Sequence, residues 1–282
     1  MYVLIGLAVV AISIVVGFMM EKGNPAVFFQ PAELFIIAGS ALGAFLIANP
    51  PKVIASVLKA LPTLIKGRNY SKKDFLKLLS LVYHIFTKMK REGQLSIETD
   101  IEKPKASDLF KGHSAILQNE AAISFLCDNL KVIVSRNISA YELEGLLDIE
   151  IETYEEEELI PSNSIAMIAD AMPGLGLVAA VLGVVLTMGK IDQAPEVVGH
   201  SVAVALLGTF FGIMLCYAII SPLAQNLKHA VNDDVAYLQV IKICLISYVK
   251  GVDPVMSVEF GRRAIPGKAR PTFTELEKSL RH

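Results

Sequence analysis

The sequence has 282 residues, with 26 Lys and Arg against 28 Asp and Glu, so its formal net charge is −2. Hydrophobic residues make up 53% of the chain and charged residues only 19%, and the mean hydropathy is +0.52. Soluble domains carry about a quarter of charged residues, so this composition is typical of a membrane protein. The near-neutral charge argues against a nucleic-acid-binding protein.

Four apolar stretches predict transmembrane helices. Residues 2–20 carry no charge, 34–48 are uncharged but short unless Glu33 and the turn before it are included, 165–188 hold one acid, and 197–223 hold one histidine. Each approaches the roughly 20 residues that cross a bilayer as a helix. The first stretch lacks the basic start and the small-residue cleavage site of a signal peptide. We predict an all-α, polytopic membrane protein.

The basic residues predict its orientation. Fifteen Lys and Arg lie in residues 50–163 and nine follow Leu223, whereas each short connection holds one, Lys22 or Lys190. The positive-inside rule therefore places the N-terminus, the long loop and the C-terminus in the cytoplasm, with the chain in the inner membrane. We expect four parts: a transmembrane pair in 1–50, a helical cytoplasmic domain in 51–163, a second pair in 164–223, and a cytoplasmic extension with its tail in 224–282.

The cytoplasmic parts show helical periodicity. Ser71 followed by Asp74 predicts a capped helix start, and Ser139 predicts another helix, which we expect to end at Pro161. The fourth transmembrane helix should continue as a long amphipathic helix as far as Pro254. An irregular basic stretch over 262–271 and a short terminal helix should follow.

No motif indicates an enzyme. The sequence contains no GxSxG, Walker, HExxH or paired Cys/His pattern, so we expect neither catalysis nor a metal or other cofactor. Its three cysteines, Cys127, Cys216 and Cys244, are an odd number, which argues against a disulfide framework.

Polar and helix-bending residues at membrane depth are the candidates for function. Asp170 is either a water-exposed carboxylate near a helix N-terminus or an acid at the cytoplasmic mouth of an ion path. Pro173 and Pro222 are either hinges or simple kinks. Thr209 either bonds its own helix or lines a water-filled path. Neither apolar segment holds an acid at mid-membrane, so a partner must supply an ion carrier.

A cytoplasmic segment at 88–104 is dense in both signs of charge. Such a segment is either a solvated face or an electrostatic docking surface, where complementary charges set register and association rate.

A set of motifs spread over nearly the whole chain resembles the MotA family of flagellar stator A subunits, which is distantly similar to the ExbB/TolQ proteins. The motifs are QPAEL from Gln30, LSIETDIEKP from Leu95, EIET from Glu150, DAMPGLGLVAA from Asp170, GTFFG from Gly208, ISPLA from Ile220 and VEFGR from Val258. The resemblance implies a pentamer around a dimer of a MotB-like B subunit, whose membrane aspartate binds the ion. Ion flow then turns the A ring and drives the rotor switch protein FliG.

The resemblance also implies roles for individual residues. Ala180 and Thr209 match positions that line the ion path, and Pro173 and Pro222 match the functional prolines, with Asp170 at the cytoplasmic mouth. Sodium-driven relatives have threonine where this chain has Ala180, so we expect H⁺ as the transported ion.

Rotor-facing charges match Lys90 and Glu98. The best-known relatives have arginine where this chain has Lys90, and Arg91 follows it, so either cation is a candidate for the contact. Glu150 is a weaker candidate for the same surface.

Three other readings remain at this stage. An ExbB/TolQ-like energiser of envelope transport would have three membrane segments. A small-solute transporter would show a polar cluster at mid-membrane and often two similar halves. A membrane-anchored scaffold without ion flux is opposed only by the motif set.

Overall fold

The computed structural model describes residues 2–66, 70–136 and 138–281, and the regular elements in that part of the chain are all helical. The α-helices are α1 (Tyr2–Met20), α2 (Pro31–Ala48), α3 (Pro51–Lys66), α4 (Lys72–Glu92), α5 (Glu98–Glu102), α6 (Asp108–Lys111), α7 (Ser114–Leu117), α8 (Glu120–Ser135), α9 (Ala140–Met188), α10 (Pro195–Met214), α11 (Ser221–Val249), α12 (Pro254–Ala264) and α13 (Phe273–Leu280). Two 3-10 turns cover Pro25–Phe28 and Gln94–Ile97, and a π-helix covers Leu215–Ile220.

Four helical stretches in the described part are long and apolar enough to cross a membrane: Tyr2–Met20, Pro25–Ala48, Ala140–Met188 and Pro195–Val249. The second consists of the 18 residues of α2 together with the upstream 3-10 turn. The predicted fold class, all-α with four transmembrane helices, is confirmed.

The chain divides into two compact units. The membrane unit comprises Met1–Gly67 and Glu158–Ala230, and the head unit comprises Arg68–Glu157 and Val231–His282. Helices α9 and α11 each contribute to both units, so the division does not coincide with helix ends. The four-part division expected from the sequence remains a prediction.

In the membrane unit, α9 and α10 pack backbone against backbone. A Cβ added to Gly176 would lie 2.6 Å from the carbonyl oxygen of Gly208, and one added to Gly212 would lie 2.6 Å from that of Met172. Both distances are too short for a side chain. Small residues are what allow transmembrane helices to approach so closely.

Helix α3 also belongs to the membrane unit, where Val57 and Leu64 pack with Phe45 of α2 and Ile165 of α9. Its apolar residues lie on one face. This stretch lies within the cytoplasmic domain expected over 51–163, where no separate amphipathic helix was predicted.

The head unit has one large apolar core to which α4, α8, α9, α11, α12 and α13 contribute. Phe86 of α4 is fully buried and stacks on Tyr248 of α11, with ring centroids 4.2 Å apart. The predicted start of α4 is confirmed, because the Ser71 backbone N–H donates to Asp74 Oδ2 at 2.9 Å.

Two expectations about helix ends are wrong. Pro161 does not end its helix: α9 continues through it to Met188, and the neighbouring Ser162 hydroxyl donates to the carbonyl of Ala224 at 2.8 Å. Proline is tolerated within membrane helices where neighbouring helices pack around it. The stretch expected to be irregular is helical as far as Ala264, because Asp253 accepts from the Val255 backbone N–H and starts α12.

Candidate functional site

The two predicted ion-path positions lie at a close contact between α9 and α10. Ala180 is 7% exposed. A Cβ added to Gly208 would lie 2.9 Å from the Ala180 backbone nitrogen, and Thr209, the next residue, is half-buried. The structure therefore brings the two segments together where the motifs indicated. Their role in ion conduction stays a prediction.

The stretches of α9 and α10 around Ala180 and Thr209 contain no acidic residue. Asp170 and Asp192 are consecutive acids along α9 and the loop after it, and Glu196 is followed by no acid until Asp233. Asp170 is exposed and lies well inside α9, which begins at Ala140, so the first reading of it as a residue near a helix N-terminus is wrong.

The two candidate hinge prolines occupy different kinds of backbone. Pro173 lies inside the continuous helix α9, whereas Pro222 directly follows the π-helix Leu215–Ile220. Wide turns of this kind are frequent at functional sites and at bends, because they interrupt the regular hydrogen-bond ladder. Of the two prolines, Pro222 is therefore the one beside a visible change in helical geometry.

The rotor-surface candidates differ in their partners. Lys90 Nζ lies 2.6 Å from Asp253 Oδ2. The hydrogen bond from Lys90, with that from the Val255 backbone, holds the pKa of Asp253 below its usual range. Arg91 is exposed and makes no ion pair with any described residue.

Two surface cavities flank the C-terminal end of α8. One, of about 350 Å³, is lined by Lys90, Gln94, Arg136 and Tyr248, among others. The other, of about 490 Å³, is lined by Glu98, Glu102, Lys103 and Lys131, among others. Glu98 thus borders a cleft that holds charges of both signs.

Glu150 has an internal partner. Its Oε2 accepts from Asn129 Nδ2 at 2.8 Å, and the same buried amide also donates to the Phe125 carbonyl at 2.8 Å. Glu150 therefore ties α9 to α8. Its assignment to the rotor surface stays a prediction.

Sequence reasoning gave no role to two buried acids. Glu33 on α2 is 7% exposed, and Glu259 on α12 accepts from both Arg262 and Arg263. The sequence could have indicated a role for Glu33, because it is a charged residue next to an apolar run. It could have indicated Glu259 through the VEFGR motif, which supported the resemblance only.

A long helical pair with a small-residue contact, together with two further apolar helices, defines an integral membrane protein. The family model described as "MotA/TolQ/ExbB proton channel family" matches residues 117–240, and the one described as "Motility protein A N-terminal" matches residues 4–93. The match to the Motility protein A N-terminal model favours a motility protein A over an ExbB/TolQ-like protein.

Individual relatives support the same family assignment. Motility protein A of Salmonella typhimurium is 40% identical over 281 residues, covering 100% of this chain and 95% of the relative. The chemotaxis protein LafT of Vibrio parahaemolyticus is 33% identical, covering 98% and 97%. The flagellar MotAB stator complex from Bacillus subtilis matches with a TM-score of 0.70 and 25% identity, covering 91% of this chain and 92% of that one. C. jejuni MotAB matches in fold, with a TM-score of 0.80, 20% identity and coverage of 96% and 98%.

This chain belongs to the motility protein A family. It is an inner-membrane, proton-conducting subunit of a flagellar stator.

Proposed function

We propose that five copies of this chain form a ring around a dimer of a MotB-like B subunit, whose membrane aspartate carries the ion past Ala180 and Thr209. The observation that carries the proposal is that α9 and α10 meet at Ala180 and Gly208, next to Thr209, in a stretch without an acid: none lies between Asp170 and Asp192, or between Glu196 and Asp233. The solved relatives from Bacillus subtilis and C. jejuni carry the name MotAB, which supports a B-type partner.

The transported ion is H⁺. The Ala180 side chain is a methyl group and offers no oxygen ligand, whereas a dehydrated sodium ion needs several. A proton needs only one carboxylate, which the B subunit supplies. No bound cofactor takes part.

Ion flow is coupled to rotation of the ring. One charge crossing 100 mV gains about 2.3 kcal/mol, which is comparable to the cost of rearranging a few interface contacts. The π-helix before Pro222 is where α10 and α11 can bend when the partner aspartate changes its charge, and Pro173 provides the corresponding flexibility in α9. Asp170 lies at the exit to the cytoplasm.

The head unit faces the cytoplasm, with both chain termini on that side, and it acts on the rotor switch protein FliG. Arg91 and Glu98 make the contact: all three residues are exposed, but Lys90 is paired with Asp253. The apolar surface of the membrane unit, including all of α1, faces lipid or a neighbouring copy, since α1 has no buried residue.

Charge reversal at Arg91 tests this assignment. In a host lacking its own copy, the wild-type chain should restore swimming to cells that build normal filaments. Arg91→Glu should reduce swimming speed severalfold at normal membrane levels, because it places an acid where the rotor meets a cation. Lys90→Met should have a smaller effect, since Lys90 is already paired with Asp253 of the same chain.

The matched control is Lys268→Glu, a reversal at an exposed lysine between α12 and α13, which should swim normally. A paralysed Lys90→Met strain beside a normally swimming Arg91→Glu strain would reverse the assignment. Failure of the wild-type chain to restore swimming would instead argue against the stator role in that host.

A further inference from the structure

Helix α2 buries a carboxyl group within the membrane unit. Glu33 is 7% exposed, and its Oε2 atom is enclosed without a hydrogen-bond partner among the described residues. It lies on the same helical face as Ile37, Ala41 and Phe45, which follow at intervals of four and are also buried. Glu33 therefore belongs to the packed face of α2.

Helix capping does not account for this carboxyl. Glu33 is the third residue of α2, where an acid often bonds back to the residue before the helix. Here the Gln30 backbone N–H donates instead to the Phe28 carbonyl at 3.0 Å, and the Gln30 side-chain amide donates to the Val27 carbonyl at 3.1 Å. An ionised carboxyl enclosed at membrane depth without a partner is expensive, so a purely structural role does not explain an acid at this position.

Packing places Glu33 at the depth of Ala180. Phe45 packs with Ile165 of α9, and further along both helices Ile37 packs in a second cluster with Ala179, so α2 and α9 run in opposite directions. At a rise of about 1.5 Å per residue, Glu33 lies about 18 Å from Phe45 along α2. The same distance from Ile165 along α9 ends within one turn of Ala180.

We propose that Glu33 is a proton-binding site of this chain, which takes up protons from the outer side and delivers them to the ion path lined by Ala180 and Thr209. The carboxylate accepts one proton to become the acid, and the acid then passes that proton to the carboxylate of the B subunit. After the transfer, Glu33 is a carboxylate again and can accept the next proton. The inference rests on the proposed function for the identity of the final acceptor.

Glutamine and aspartate substitutions separate this role from a structural one. Glu33→Gln keeps the size and polarity of a protonated glutamate but has no proton to release, so it should reduce swimming speed at least tenfold at normal membrane levels. Glu33→Asp keeps an exchangeable proton and should retain part of the speed. The control is Glu21→Gln, which removes an exposed carboxyl after α1 and should swim as wild type.

A second measurement reports on the proton directly. The infrared spectrum of the purified stator complex should contain a C=O band from a protonated carboxyl that Glu33→Gln removes and Glu21→Gln retains. The inference is overturned if Glu33→Gln swims as wild type, if the band is unchanged, or if both Glu33 variants are absent from the membrane, which would indicate a structural carboxyl. If the wild-type chain itself fails to restore swimming, the proposed function fails instead.

Discussion

The membrane unit and the head unit are held together in different ways. In the membrane unit, helices approach where side chains are missing, as at Gly176 and Gly212, and α1 buries no residue. In the head unit, large side chains such as Phe86 and Leu126 fill one continuous core. Lipid solvates apolar side chains as well as a protein interior does, so membrane helices gain from close backbone contact. Water does not, so a soluble unit gains from burial.

Polar contacts follow the same division. The membrane unit uses single hydroxyl bonds to carbonyl groups, such as Thr187 to Gly183 at 2.8 Å. The head unit uses charged pairs and networks, such as Glu259 with Arg262 and Asp100 with Lys88. A charged group costs little free energy beside water and much more in lipid. Substitutions chosen by this comparison should therefore fail for different reasons in the two units.

The largest effect is expected where the two membrane helices touch. Gly212→Leu would place side-chain atoms against the Met172 carbonyl, which lies only 2.6 Å from the position of a Cβ, and should abolish swimming by separating α9 from α10. Gly39→Leu, at a glycine of α2 with no atom within 4 Å of its Cβ position, is the control. Swimming speed and the size of the purified complex are the measurements, and a motile Gly212→Leu strain would contradict the packing argument.

A smaller effect is expected from breaking the buried charge network of the head unit. Glu259 is 6% exposed and accepts two bonds of 2.7 Å from Arg262, which also donates to the Pro271 carbonyl. Glu259→Gln leaves Arg262 buried without its counter-charge and should lower the free energy of unfolding by about 3 kcal/mol.

The control for that change is Glu277→Gln, which breaks an exposed pair with Arg281. Thermal unfolding of the purified complexes, followed by a probe in the head unit, measures both. Equal melting temperatures for the two variants would show that burial does not strengthen the Glu259 network.

The smallest effect is a pH dependence at Asp100. Burial by itself would raise the pKa of this carboxyl, but the hydrogen bonds from Lys88 at 2.8 Å and Ser107 at 2.6 Å, with the charge of Lys88, outweigh burial and lower it. The stabilisation is therefore present above the ordinary aspartate pKa of about 4 and is lost as the pH falls through the lowered value.

Asp100→Asn should remove about 1 kcal/mol of stability at pH 7 and flatten the acid limb of the unfolding curve. Asp108→Asn, at an exposed aspartate of α6, should leave both unchanged. Unfolding midpoints of both variants, measured from neutral to acidic pH, test this prediction. An unaltered acid limb in Asp100→Asn would contradict the lowered pKa of Asp100.

Local chemistry explains which elements were predictable. The apolar spans, the Ser71 start of α4 and the terminal helix depend on composition and on neighbours a few residues away, and all are present as expected. The continuation through Pro161 was missed because a proline ends a helix in water, and the packing that tolerates it is non-local. Helix α12 was missed because the stretch after Pro254 was expected to be irregular and basic, whereas residues 254–264 are helical and Glu259 pairs with Arg262 and Arg263.

By itself the sequence determined the class of protein, since the length and hydropathy of each span follow from the thickness of a bilayer and the motifs lie at fixed positions along the chain. It also placed Ala180 and Thr209 on neighbouring segments. Only the tertiary structure decided that Lys90 pairs with Asp253 while Arg91 stays exposed, and that Glu33 is enclosed with its Oε2 atom unpartnered among the described residues. Those contacts join residues far apart in the chain, and periodicity records which face a residue occupies but not what lies against that face.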